Sequence, residues 1–145
     1  MIVLDAYALE AYLTMEYAGP LVRDLILSGE QLLISGVNLA ETVDRMVRVN
    51  GADPGELADD LARLGITVSG VDELVAFDAA VLRTGHYHRR HRAVSLADCC
   101  AAALALDRDA TLATSDPALL AMVHDEGGRV LPLPGSDGAT WQPPA

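Results

Sequence analysis

The sequence predicts a three-layer α/β domain in which a central, mostly parallel five-stranded sheet is flanked by helices. Short apolar runs of β type alternate with amphipathic stretches along nearly the whole chain. Strands separated in this way by helices pair in parallel and bury both faces of their sheet. A chain of 145 residues with no internal repeat and no long linker holds one core of this kind.

Ile2 to Leu4 forms the first strand, followed by amphipathic helices over Ala6 to Tyr17 and Leu21 to Leu27, the second opened by Gly19-Pro20. Leu32 to Ile34 is the second strand. Ser35 caps a helix that runs to Val49, and Pro54, favoured in a first turn, starts another that runs to Leu64. Ile66 to Val68 is the third strand and Val71 to Leu82 the next helix. After a basic stretch comes an Ala-rich helix, Ser95 to Leu106, then a strand from Thr111 to Ala113. A helix from Pro117 to His124 and a fifth strand from Arg129 to Leu131 complete the pattern. Residues 132–145 are rich in Pro and Gly, which predicts an irregular tail or surface strap after a domain of residues 1–131.

Composition narrows the chemistry. All ten basic residues are Arg, which excludes Schiff-base chemistry, lysine general bases and a phosphate-binding P-loop. A net charge of -11 opposes broad attraction to nucleic acid or anionic membranes unless positive charge is locally segregated. No apolar run reaches the length of a membrane span, and Asp5 stands where a signal peptide carries basic residues, so a cytoplasmic protein is expected. The adjacent Cys99 and Cys100, in helical apolar surroundings, fit reduced packed thiols rather than a disulfide or zinc ligands. No GxGxxG follows the first strand and no GxSxG elbow exists, so neither a dinucleotide cofactor nor a serine hydrolase is supported.

In an open parallel sheet the ligand site lies beyond the carboxyl ends of the strands. Asp5 ends the first strand, Asp116 closely follows the fourth, Glu41 sits in the helix after the second, and Asp98 lies in the first turn of the Ala-rich helix. Each has a plain structural role open to it. Ser95 and Asp98 have capping-box spacing, Asp116-Pro117 is an N-cap followed by a first-turn proline, and Glu41 alone would be a solvated helix residue. Brought together, four carboxylates repel one another and supply the oxygen donors that Mg²⁺ or Mn²⁺ requires. Such an ion activates water and stabilises the leaving oxygen of a phosphodiester without Lys, Cys or a catalytic His. Asn38, one turn before Glu41, is either a helix-surface residue or an added polar contact.

The order Val3-Leu4-Asp5-Ala6, Leu39-Ala40-Glu41, Ser95-Leu96-Ala97-Asp98 and Thr114-Ser115-Asp116 resembles that of the PIN-domain ribonucleases, especially the VapC-type toxins, over Ile2 to Leu131. The resemblance implies that Asp5, Glu41, Asp98 and Asp116 hold Mg²⁺ or Mn²⁺ and cut single-stranded or looped RNA. It also implies a cognate VapB-like antitoxin and a homodimer. Thr114 matches the small hydroxyl that the family places before the last Asp. The chain departs from the pattern at Tyr7, where family members often carry Ser or Thr. Two other readings stay open: an RNA-processing PIN nuclease without an antitoxin, and a catalytically silent interaction domain of the same fold.

Segregated positive charge does occur. Arg83 to Arg92 holds four Arg, three His and Tyr87 with no acid, and is either a plain solvated loop or the segment that meets RNA. In the second case Arg89, Arg90 and Arg92 clamp phosphates and Tyr87 stacks on a base. Tyr12, Leu13, Met15, Tyr17, Met46 and Val47 offer aromatic and Met side chains that suit either core packing or a partner helix from the antitoxin.

Overall fold

The computed structural model describes residues 1–145. β1 (Ile2–Leu4) is wholly buried and lies at the centre of the sheet, flanked by β2 (Leu32–Ser35) and β4 (Thr111–Thr114). β3 (Thr67–Ser69) and β5 (Arg129–Pro132) form the edges, giving the order β3-β2-β1-β4-β5. Every neighbouring pair is parallel, so the sheet is fully rather than mostly parallel. The chain builds one half outward from β1 through β2 and β3, then crosses back to build β4 and β5 on the other side. That reversal at β1 and β4 is the topological switch point, where the carboxyl ends of the strands diverge and leave a crevice.

Alternation along the strands feeds two cores. Val3, Leu33 and Leu112 point into a cluster under α5 (Glu73–His86), α6 (Leu96–Asp107) and α7 (Pro117–Asp125). Ile2, Leu4, Leu32 and Ala113 point the other way, against α1 (Ala6–Leu13) and α2 (Gly19–Leu27). Cys99 to Ala105 of α6 are all buried, as expected for a helix that is apolar all round. Both thiols are free and packed, and burial pushes that of Cys99 up to about 11. α3 (Gly36–Arg48) and α4 (Pro54–Arg63) complete the helical layers.

Several boundaries differ from the sequence expectation, among them β3 by one residue and the start of α5 by two, and three have an evident structural cause. α1 ends at Leu13, not Tyr17, because Met15 takes a left-handed φ of 57° and Glu16 N–H bonds back to the Ala11 carbonyl. α2 accordingly begins at Gly19, two residues early. α5 runs through Thr84-Gly85 to His86, four residues beyond Leu82. Its last turn is held by long-range bonds, with Arg83 Nε donating to the Val94 carbonyl at 3.2 Å and His86 Nε2 meeting Glu126 at 2.6 Å.

Beyond β5 the chain forms no further helix or strand, yet it is fastened down. Leu133 is buried in the second core and its N–H donates to the Thr114 carbonyl at 2.9 Å. Residues 135–139 close a tight turn through Gly135 N–H to Ala139 O at 2.8 Å and Gly138 N–H to Gly135 O at 2.9 Å. It is a strap over the sheet's carboxyl edge, and no helix of the structure is long and apolar enough to cross a membrane.

Candidate functional site

The first residue after β1 is Asp5, and the chain must turn there from strand into α1. Its extended backbone makes it the N-cap, with Oδ1 accepting the Ala8 N–H at 2.8 Å. Its Oδ2 accepts the Thr114 hydroxyl at the end of β4, and the same hydroxyl oxygen accepts the Asp116 N–H at 3.0 Å. Thr114 therefore ties the ends of the two central strands together and sets the spacing of Asp5 and Asp116.

Asp116 caps α7 through Oδ1, which accepts the Ala118 N–H at 2.8 Å. Asp98 completes a capping box on α6, with Oδ2 accepting the Ser95 N–H at 2.7 Å and its own N–H donating to Ser95 Oγ at 3.0 Å. Each aspartate is thus a helix cap, and all three also share one electrostatic neighbourhood. Asp5 is only 4 % exposed. Burial pushes its carboxyl up to about 7 against the pull of the Thr114 and Ala8 hydrogen bonds, and the charges of Asp98 and Asp116 raise it further. Asp98 is raised as well, by burial first and by the charge of Asp116, although its bonds to Ser95 oppose the shift. No Arg or His forms an ion pair with any of the three.

Glu41 is half-buried on α3, and its charge bears on Glu10 of α1. The structure brings together three of the four expected carboxylates and sets Glu41 beside a fifth that the sequence pattern does not single out. Glu10 pairs with Arg45 at 3.1 Å, while its Oε1 is buried without a partner. Asn38 is buried, with its Oδ1 accepting the Ser35 hydroxyl at 2.5 Å; it fastens the start of α3 and is not a helix-surface residue.

No three acidic, His or Cys side chains stand in a ready-made metal cage. Asp5, Asp98 and Asp116 each turn an oxygen onto an N–H at the start of their own helix. In donor chemistry the set nevertheless fits a hard divalent cation. It is all oxygen, it is negatively charged, and its most buried member has no counter-charge.

The basic segment divides. Arg92 is committed to the protein, pairing with Asp125 at 2.8 Å and meeting His86 Nδ1 at 2.7 Å, so it is not the free phosphate clamp the sequence suggested. Asp125 ends α7 at the opposite terminus from Asp116, about 13 Å away at 1.5 Å per residue. Tyr87 lies under the Arg83 guanidinium, 4.3 Å from its ring centre. Arg89 and Arg90 are exposed and make no side-chain hydrogen bond or ion pair. Among the residues expected to meet a partner helix, Met46 is core, whereas Met15 and Tyr17 are exposed beside a cleft that Tyr12 also lines.

Sequence inspection also missed the contact made by Tyr7. Its hydroxyl donates to the Pro134 carbonyl at 3.2 Å, and the tail turn leans toward Tyr17, whose ring lies 3.9 Å from where a Cβ on Gly138 would sit. The only available signal was an aromatic two residues after the first Asp and a lone Trp in the tail.

Comparison with known proteins agrees with this architecture. Several proteins of known structure share it. One is FitAcB from Neisseria gonorrhoeae, with a TM-score of 0.65 and 22 % identity over 90 % of this chain and 96 % of that one. A toxin–antitoxin complex from Klebsiella pneumoniae gives 0.63 and 15 % over 83 % and 91 %. VapC20 from Mycobacterium tuberculosis, a sarcin-ricin-loop-cleaving toxin, gives 0.60 and 18 % over 77 % and 87 %. At these identities the likeness is one of fold, and no curated protein matches in sequence. The profile of the PIN domain matches residues 2–124, the span that carries every strand-end carboxylate described above, and the chain belongs to the PIN-domain family.

Proposed function

We propose that this protein is a Mg²⁺- or Mn²⁺-dependent endoribonuclease that hydrolyses phosphodiester bonds of single-stranded or looped RNA, and that it is the toxin of a toxin–antitoxin pair acting in the cytoplasm. The observation that carries the reading is the buried, uncompensated carboxylate of Asp5 at the switch point, with the charges of Asp98 and Asp116 bearing on it. Such an arrangement is unfavourable alone and becomes favourable around a cation.

Asp5, Asp98 and Asp116 would hold the ion, with Glu41 on the adjoining side for a second ion or for orienting the attacking water. When bound, the metal supplies a nucleophilic water at neutral pH and charge stabilisation for the leaving oxygen. The chain's own contribution is positional. Thr114 fixes Asp5 against Asp116, and the caps set Asp98 and Asp116 at helix N-termini whose N–H groups stabilise negative charge. Arg89 and Arg90 would draw the RNA backbone toward a chain that is otherwise acidic.

The partner reading rests on two apolar features. A cavity of about 370 Å³ between α3, α4 and β3, lined by Leu39, Val43, Leu57, Leu61 and Val68, suits the apolar face of an antitoxin segment. Leu74, Phe77 and Val81 form an exposed row on one face of α5, as a homodimer contact would require. The fold the chain shares with a toxin–antitoxin complex from Klebsiella pneumoniae supports an antitoxin partner.

The test is cleavage of single-stranded RNA by purified protein. Activity with Mg²⁺ or Mn²⁺, lost in excess chelator and in Asp5→Asn, is the expected result. Equal cleavage in chelator would exclude metal dependence. The capping bonds of Asp98 and Asp116 favour a second reading, a catalytically silent interaction domain. That reading predicts no metal binding and no cleavage, with partner binding intact. Toxicity on expression that a neighbouring small gene product does not relieve would point instead to an RNA-processing nuclease.

A further inference from the structure

The strap that follows β5 does more than cover the sheet edge. With the start of α1 and α7 it lines an open groove of about 480 Å³, within the range of small-ligand sites. Tyr7 and Trp141 contribute aromatic surface to it, and Ser115, Asp116, Asp137 and Thr140 contribute oxygen acceptors and hydroxyls. No Arg lines it. Asp116 lines this groove and also belongs to the carboxylate group, so the groove borders that group at this residue.

The walls are held from several directions. Tyr7 fastens the strap through its bond to the Pro134 carbonyl, and Asp137 Oδ1 accepts the Ala139 N–H at 2.9 Å. Trp141 is held edge-on by His124 of α7, ring centres 6.0 Å apart at 65°. A groove with aromatic walls, acceptors and no cation repels a phosphate and suits a flat, uncharged group with N–H donors on its edge.

From this geometry we infer that the pocket formed by Tyr7, the C-terminal strap and Trp141 is a nucleobase site for the residue of single-stranded RNA next to the bond being cut. The inference rests on the nuclease reading above. The base stacks on the Trp141 indole and directs its donor edge to the Asp137 carboxylate and the Ser115 and Thr140 hydroxyls. Tyr7 then has a reason to replace a small hydroxyl residue, because it anchors the strap that makes the pocket.

Trp141 is the only tryptophan, so its emission reports on the pocket directly. The experiment titrates the Asp98→Asn protein in Mg²⁺ with a single-stranded oligoribonucleotide and with an abasic chain of the same length. In parallel, cleavage kinetics are measured for wild type, Trp141→Ala and Trp141→Phe. Saturable quenching by the oligoribonucleotide and not by the abasic chain is expected. Trp141→Ala should raise KM by about 5- to 150-fold, the range for loss of one base stack, with kcat little changed and Trp141→Phe close to wild type. If wild type cleaves RNA while both chains leave the emission alike, or while Trp141→Ala cleaves as wild type does, the base site is refuted and the nuclease stands. If wild type neither cleaves nor binds RNA, the nuclease reading falls and the base site with it. Base-dependent quenching without cleavage would keep the pocket and remove the catalysis.

Discussion

Replacing Asp5 by Asn should remove most of the fall in stability that the wild type shows as pH rises from about 4 to about 7. In the folded protein the Asp5 carboxyl is pushed from its ordinary 3.8 to about 7, chiefly by burial. A carboxyl with a raised folded pKa favours folding when protonated. That contribution is complete below about pH 4 and is lost as the pH rises through about 7. The full difference corresponds to about 4 kcal/mol at 1.36 kcal/mol per pKa unit, and about 2 to 3 kcal/mol of it falls between pH 5 and pH 8. Asn cannot ionise. It keeps an acceptor for the Ala8 N–H but disturbs the Thr114 hydroxyl bond, at a cost of about 1 kcal/mol. In chelator, urea unfolding should therefore show Asp5→Asn gaining about 2 to 3 kcal/mol on wild type between pH 5 and pH 8. Mn²⁺ at about a hundred times its dissociation constant should then stabilise wild type by about 2.7 kcal/mol and the variant by clearly less. Parallel pH profiles for the two proteins in chelator, together with an equal response to Mn²⁺, would refute both the burial argument and the metal assignment.

Three further outcomes are expected. Replacing Arg89 and Arg90 together by Ala should lower the slope of log binding constant against log salt by about 1.4 for single-stranded RNA, whereas Arg92→Ala, which removes a pair with Asp125, should leave that slope nearly unchanged. Gly19→Ala should cost roughly 1 to 3 kcal/mol in a denaturant melt, since a Cβ there would lie 2.8 Å from the Ala11 carbonyl oxygen and force α1 and α2 apart. Phe77→Glu, which places a charge in the exposed row on α5, should convert a dimer to a monomer in light scattering without lowering the helical circular dichroism signal.

What the sequence determined by itself was everything governed by local or periodic rules. Buried strands read as apolar runs, and Ser35, Ser95 and Asp116 cap the helices that follow them because a capping bond spans only two or three residues. Their order along an α/β chain placed Asp5 and Asp116 at one sheet edge, with Asp98 at the start of the helix that leads into β4. Tertiary structure decided which charges meet across the fold. The charge of Glu41 bears on Glu10 because α3 packs beside α1, and Arg92 pairs with Asp125 because the basic loop folds over the end of α7. It also carried α5 beyond Leu82 to His86, through bonds to Val94 and Glu126 from distant elements. The tail shows the division most sharply. Pro and Gly remove the periodicity from which structure is read, and its order comes from burial of Leu133 and the reach of Tyr7 to Pro134, across 127 positions of chain. Such contacts repay their loop-closure entropy only once the sheet has brought their ends together, so no local pattern records them.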